Sequence, residues 1–348
     1  RLNVSFDAYI RDTKDMLMAG KTLPGVYGAS SPRMNVADLR TKGWEASVTW
    51  GDSFTLASKP FNYRIMAGIG DNTSKVTKYD NPNRTLTDPY EGQQLGEIWG
   101  YVVDGYFKTD EEARNYKVDQ SFVNQMINAS ALDNGLHAGD LKFVDLDGNN
   151  KIEQTTSAND RKDMKVIGNS LPRYNYNFGI SADWYGIDFS VLFQGIGKQN
   201  WYPGAETSMF WGPYSRPYAS FIPSDFMSQV WSEENTNAYF PRPRGYVALG
   251  SNRELAVVNT KYLQNLAYCR LKNLSIGYTL PDKWLSKIGF EKIRVYFSGE
   301  ILLTFTKLHS DYIDPEQASA SNSWKTSKSD ANIYPWAKTY SFGVDITF

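Results

Sequence analysis

The chain has 348 residues, a formal net charge of −1, 41% hydrophobic and 22% charged residues, and a mean hydropathy of −0.49. No run of about 18 apolar residues is present, which excludes helical membrane spanning, and the near-neutral balance implies neither nucleic acid nor an anionic membrane surface as a partner. The single Cys269 excludes an internal disulfide framework and a multi-cysteine metal site, while Arg1 opens straight into a strand-like run, as expected of a fragment or processed chain.

Eight segments alternate large apolar side chains with small or polar ones, the period of a strand with one face in an apolar medium. The first sets Leu2, Val4, Phe6, Ala8 and Ile10 against Asn3, Ser5, Asp7 and Tyr9. Two more place Trp44, Ala46, Val48 and Trp50, then Phe61, Tyr63, Ile65, Ala67 and Ile69, on one face. A hairpin follows, with Tyr174, Tyr176, Phe178, Ile180, Ala182 and Trp184 before a tight turn near Tyr185-Gly186, and Ile187, Phe189, Val191 and Phe193 after it. Next come Leu274, Ile276, Tyr278 and Leu280, stopped by Pro281, which cannot donate to a ladder. The seventh strand alternates Ile293, Val295, Phe297, Gly299, Ile301, Leu303 and Phe305 with Arg294, Tyr296, Ser298, Glu300, Leu302 and Thr304, so that its apolar face has one gap, at Gly299. The last carries Tyr340, Phe342, Val344, Ile346 and Phe348.

The links obey a second rule. Short ones fall near 51–60, 185–186 and 281–291, and long ones at roughly 11–42, 71–172, 199–269 and 306–338, in strict alternation. Outer-membrane barrels have short periplasmic turns and long outer loops, and 15% aromatic residues can furnish interfacial girdles. The expected fold is all-β, a transmembrane antiparallel β-barrel with long extracellular loops. A soluble jelly-roll or lectin-like sandwich is the alternative.

Several phrases together resemble the SusC/RagA-like TonB-dependent outer-membrane transporters. They are Arg40-Thr41-Lys42-Gly43-Trp44-Glu45, the stretches 100–107, 139–148 and 166–174, Phe193-Gln194-Gly195, and Arg270-Leu271-Lys272-Asn273-Leu274-Ser275-Ile276-Gly277-Tyr278-Thr279-Leu280-Pro281. Ser298-Gly299-Glu300 and Phe348 complete the set. The resemblance implies that residues 1–348 are the C-terminal portion of a 22-stranded barrel. The plug domain and TonB box would lie outside this chain. It further implies active import of an oligosaccharide or peptide nutrient in Bacteroidota, with a SusD-like surface lipoprotein as lid and with TonB engaged through the missing N-terminal part. The terminal stripe Tyr340, Phe342, Val344, Ile346 and Phe348 resembles the signal read by the outer-membrane assembly machinery; loss of Phe348 is expected to impair insertion.

Three features carry candidate chemistry. Asp145, Asp147 and Asn149 place oxygen-bearing side chains at alternate positions, as in a calcium loop, although Asn150 replaces the turn glycine and Thr156 the closing carboxylate. An Asx-type turn bonding its own backbone fits the same residues. Trp201, Tyr202, Phe210, Trp211, Tyr214, Tyr218 and Phe221 crowd one long loop, and fit self-packing, contact with a partner protein or stacking on a ligand. Short helices are expected over 225–235 and 110–130. Inward Glu45, Arg64, Asp183, Asp188, Arg294, Glu300 and Asp345 fit an interior salt-bridge lattice. His137 and His309 stand in no nucleophile or zinc-ligand context, so no enzyme is expected; a barrel hydrolase, or a self-contained eight-stranded adhesin or anchor, are the rival readings.

Overall fold

The computed structural model describes the chain apart from residues 21–23, 29, 125–134, 216–221, 251–252, 286–288, 319–327 and 330–335. One antiparallel sheet takes its eight strands in chain order: β1 (Leu2–Ala19), β2 (Arg33–Leu56), β3 (Lys59–Lys78), β4 (Arg173–Trp184), β5 (Ile187–Lys198), β6 (Tyr268–Thr279), β7 (Lys292–Thr306) and β8 (Thr339–Thr347). The register keeps each apolar set on one face. A single cross-strand row runs Leu2, Trp50, Ile65, Ile180, Val191, Leu274, Gly299 and Tyr340. On the opposite face a neighbouring row runs Gly51, Arg64, Ser181, Ser190, Ser275, Ser298 and Ser341.

No part of the described chain covers the apolar face. Val4 is 69% exposed and Phe342 82%, and the buried apolar residues lie almost wholly in the connections. A soluble sheet would bury its apolar side, so this face is built for hydrocarbon and the sandwich reading fails. No helix is long and apolar enough to cross a membrane.

Two links are two-residue hairpins. Ala57-Ser58 have φ of 47° and 60°, and Tyr185-Gly186 have 50° and 84°. Two left-handed residues in succession match the type I′ turn, whose twist suits the flanking strands. Aromatic side chains gather at this end: Trp50 Nε1 donates to Tyr63 Oη at 3.2 Å, Phe54 and Phe61 lie 5.0 Å apart, Trp184 Nε1 donates to the Leu56 carbonyl, and Phe290 meets Phe348 at 6.0 Å. They form one girdle.

Three expectations are corrected. The first long link is not 11–42, because β1 and β2 go on pairing to Ala19↔Arg33 and only 20–32 connects them. Of the helix expected over 110–130, the described part, 110–124, holds one turn, Asp110–Arg114, capped by Thr109 Oγ1 accepting from Glu112 N at 3.1 Å; beyond it Asp119 and Gln120 turn their side chains to backbone groups instead, and 125–130 lie outside the described residues. The helix over 225–235 shrinks to a 3₁₀ turn at Phe226–Gln229, since Val230 bridges to Phe240.

The gap at Gly299 is filled by its own strand. The register slips between Leu271↔Leu303 and Asn273↔Glu300, and Ile301 takes φ 55°, a conformation costly for a β-branched residue. This bulge brings Leu302, expected inward, over Gly299, where a Cβ would stand 2.6 Å from Leu302 Cδ1.

β1 pairs only with β2, and β8 only with β7, so among the described residues the sheet is open at both edges. It is not a closed eight-stranded barrel, which removes the self-contained adhesin or anchor in that form. On the inner wall Arg294 donates to Asp188 at 2.6 and 2.8 Å and to Asp345 at 3.3 Å, and Asn62 donates to Asp183 at 2.7 Å. Arg294 and Asp188 stand on β7 and β5, and they meet across β6 at Gly277, where a Cβ would lie 2.5 Å from Arg294 Nη2. Gly277→Val in the full-length protein should break this bridge and cost about 1–3 kcal/mol, read as a lower urea midpoint in lipid micelles. An unchanged midpoint would show that the close crossing is not needed.

Candidate functional site

The only large apolar core among the described residues lies beyond the sheet, where the connections β3–β4, β5–β6 and β7–β8 fold on one another. Trp201, Tyr202, Phe210, Trp211 and Tyr214 are at most 2% exposed and pack with Tyr101, Tyr106, Leu141, Phe143, Phe240, Tyr262, Leu308 and Ile313. Phe226 stacks on Phe240 at 4.7 Å, and Phe210 meets Trp211 edge-on at 4.8 Å. Tyrosine and tryptophan serve here because their polar tips can satisfy buried carbonyls while their rings fill space. Tyr202 Oη donates to Leu255 O at 2.8 Å, Tyr214 Oη to Pro241 O at 2.7 Å, and Trp211 Nε1 to Gly204 O at 2.9 Å; Tyr106 Oη and Tyr262 Oη share a bond of 2.8 Å. Burial holds the Tyr202 and Tyr262 phenols well above their ordinary range. The five described rings of the expected partner or ligand loop therefore pack the loop as they stand; Tyr218 and Phe221 lie outside the described residues.

Charge joins the loops as well as apolar contact. Asp140, fully buried, accepts from Arg242 Nε at 2.6 Å and from Arg244 Nη2. Glu254 lies 2.8 Å from Arg244 Nε, too far off line for a hydrogen bond, and accepts from Leu141 N at 3.3 Å. Burial raises the Glu254 pKa, and nearby Asp140 adds to the rise against the pull of Arg244. Breaking such a buried pair from one side costs more than the pair itself contributes. His309 ties in the last loop by stacking on Tyr239 at 3.4 Å, with Nε2 bonded to Gln229 Oε1 at 2.7 Å; burial lowers its pKa, opposed by Asp311 and aided by Lys261. At the wall, Arg270 donates to Asp314 at 2.6 Å and to Glu316 at 2.5 Å, and Lys272 reaches both Glu316 oxygens at 2.7 Å.

On the β3–β4 connection Asp145, Asp147 and Asp163 bring carboxylate oxygens within 4.8 Å of one another. Asp163 is a residue that local spacing could not reveal, lying well past the loop. It is buried, accepts from Leu146 N at 2.9 Å and Glu153 N at 2.7 Å, and has a raised pKa from burial, with Asp147 and Asp145 adding to the rise. For Asp145, burial pulls upward but the N–H groups of Asn150 and Gly148 outweigh it, and the pKa is lowered. Asn150 takes φ 62°, the left-handed turn that a glycine supplies in calcium loops, so this departure from the pattern is tolerated. Beside these three carboxylates, Asn149 Oδ1 accepts from Lys151 N at 2.8 Å and its amide nitrogen faces Asp147 and Glu153. Glu153 instead pairs with Lys162 at 3.2 Å. Three convergent carboxylates fit a hard cation by donor type, and the Asx bonds to backbone also form, so both readings of this loop describe real contacts.

No family model matches the chain. Over its whole length it is 28% identical to TonB-dependent receptor P3 of Formosa agariphila, across 367 residues and 32% of that protein, and 21% identical to TonB-dependent receptor SusC of Bacteroides thetaiotaomicron, covering 30% of it. The RagAB peptide importer in its open-open state superposes with a TM-score of 0.69 at 20% identity, over the whole chain and 33% of that structure, and its closed-closed state with 0.64 at 22% identity. The chain spans about a third of the length of the relatives it matches. The apolar-out sheet, the girdled turns and these matches agree: the chain is similar to the SusC/RagA-like TonB-dependent receptors over part of their β-barrel, and its place is the outer membrane of a Gram-negative bacterium.

Proposed function

We propose that this chain supplies wall and outer cap to an importer that moves a peptide or oligosaccharide across the outer membrane without changing its bonds. The observation that carries the reading is a polar inner wall, with its serine row and Arg294 bridges, behind an apolar belt and under a packed cap. Such a wall suits the passage of a hydrated solute. Energy reaches it from TonB through a plug and TonB box outside residues 1–348, and a SusD-like surface lipoprotein docks on the cap. The RagAB neighbours, described as a peptide importer, favour the peptide arm. The stripe from Tyr340 to Phe348 serves assembly of the barrel, which the Phe348 truncation tests. Deleting the full-length gene should abolish growth on defined oligopeptides or on oligosaccharides as sole source, with recovery on the free monomers. Unimpaired growth and uptake on both classes would sink the import reading.

The same reading gives the Asp145 loop a calcium ion that stiffens the cap, held by Asp145, Asp147 and Asp163, with Asn149 contributing its oxygen after a half-turn of the amide. A ligand that binds only the folded state stabilises it by about 2.7 kcal/mol at 100 times its Kd. In the full-length receptor, calcium should raise the melting temperature and protect 145–163 from proteolysis, EDTA should reverse both, and Asp163→Asn should blunt the response. Melting and cleavage indifferent to calcium and chelator would leave only the Asx turn.

A further inference from the structure

The outward face of β1–β3 changes character one row above Trp44. There Ile10 stands opposite Lys42, and Lys42 opposite Thr73; in the next row Asp12 stands opposite Arg40, and Arg40 opposite Lys75. The period of two places Arg40 and Lys42 on the same face as Trp44, Ala46, Val48 and Trp50. They point away from the cap, because the alternate residues Thr41 and Val76 are buried on the other side. The patch thus continues the lipid-facing belt upward.

Its charge is not balanced by this chain. Arg40 binds Asp12 through Nε at 2.6 Å and Nη2 at 2.9 Å, yet its side chain stays 49% exposed. Lys42 and Lys75 are exposed and have no ion-pair partner among the described residues. Asp71, on the same face beside Trp44, is taken by Arg173 through two bonds of 2.5 Å. One step further along the same face Asp38 stands opposite Lys78 and accepts from Asp15 N at 2.8 Å. Four cations therefore face two carboxylates, and Arg40 and Lys75 are like charges set directly opposite, an arrangement that destabilises a sheet unless an anion lies between them. Successive same-face positions are about 7 Å apart along a strand and about 5 Å across strands, a spacing that one phosphate group can bridge from above. Beside Lys42, Ile10 is 65% exposed, and two rows below it Phe6 is 67% exposed, an apolar track for an acyl chain.

We propose that Arg40, Lys42 and Lys75 bind the phosphorylated headgroup of an outer-leaflet lipid whose acyl chains lie along Phe6, Ile10 and Trp44. The proposal rests on the orientation in which the cap faces outward. Lys42→Gln/Lys75→Gln in the full-length receptor removes two cations from an exposed surface while leaving the Arg40–Asp12 pair in place. Binding by the detergent-purified receptor is measured with phosphorylated lipid A, the same lipid dephosphorylated, and inorganic phosphate. At about 1 kcal/mol per cation near a charged lipid surface, the double variant should bind phosphorylated lipid A roughly 25-fold more weakly, and the wild type should bind the dephosphorylated lipid no better than the variant does. Lys42→Glu/Lys75→Glu should weaken binding further. Equal binding by wild type and both variants, or equal binding of the two lipids, overturns the proposal; inorganic phosphate competing at the same concentration as the lipid assigns the site to free phosphate and overturns it too. Nutrient uptake by the same variants reports separately on import.

Discussion

A strand in hydrocarbon has no water for its N–H and C=O groups, so each must find its partner in a neighbouring strand. That constraint organises this molecule. It keeps β1 to β8 paired in chain order with only local bulges, confines Pro281 to the point where β6 has ended, and makes the two hairpins as short as a type I′ turn permits. The same constraint makes the outer edges of β1 and β8 the places where backbone groups still call for partners among the described residues. The side chains then have only one choice, apolar outward and polar inward, and that choice removes the sheet from the usual work of making a core.

The core is instead built outside the belt. Connections that would be floppy if merely long are folded around Trp201, Trp211, Phe240 and Tyr262, and Tyr202, Trp211 and Tyr214 each bring a hydrogen bond to a loop carbonyl. Asp140 with Arg242 and Arg244, and Arg270 with Asp314 and Glu316, pin separate loops to each other and to the wall. The outcome is a folded platform above the inner wall. Under the proposed import function, a solute would meet ordered structure there, which suits recognition at low entropic cost.

Much of this was legible in the sequence, because alternation is a local signal and the membrane enforces it in every strand. The eight strands, the Tyr185-Gly186 turn and the stop at Pro281 all came from spacing within ten or so residues. The continuation of β1 and β2 to Ala19 and Arg33 did not, since above the belt both faces are polar or mixed and alternation carries no meaning. Leu302 was placed inward because a period of two cannot register a bulge, and Asp163 was missed because it reaches the Asp145 loop only through the fold. The loop aromatics were recognised as a group, but whether rings pack or project depends on contacts between distant connections. Net charge misled in a different way: a total of −1 conceals Arg40, Lys42 and Lys75 on one small face.

The central claim is that alternate residues of these strands face lipid. It is tested most directly by a nitroxide scan of Tyr340 to Thr347 in the full-length protein reconstituted in bilayers, with Cys269 first replaced by serine. Oxygen accessibility should peak at Tyr340, Phe342, Val344 and Ile346 and fall at Ser341, Gly343, Asp345 and Thr347, giving a period of two. Accessibility without that period, or highest at the serine and aspartate positions, would contradict the account.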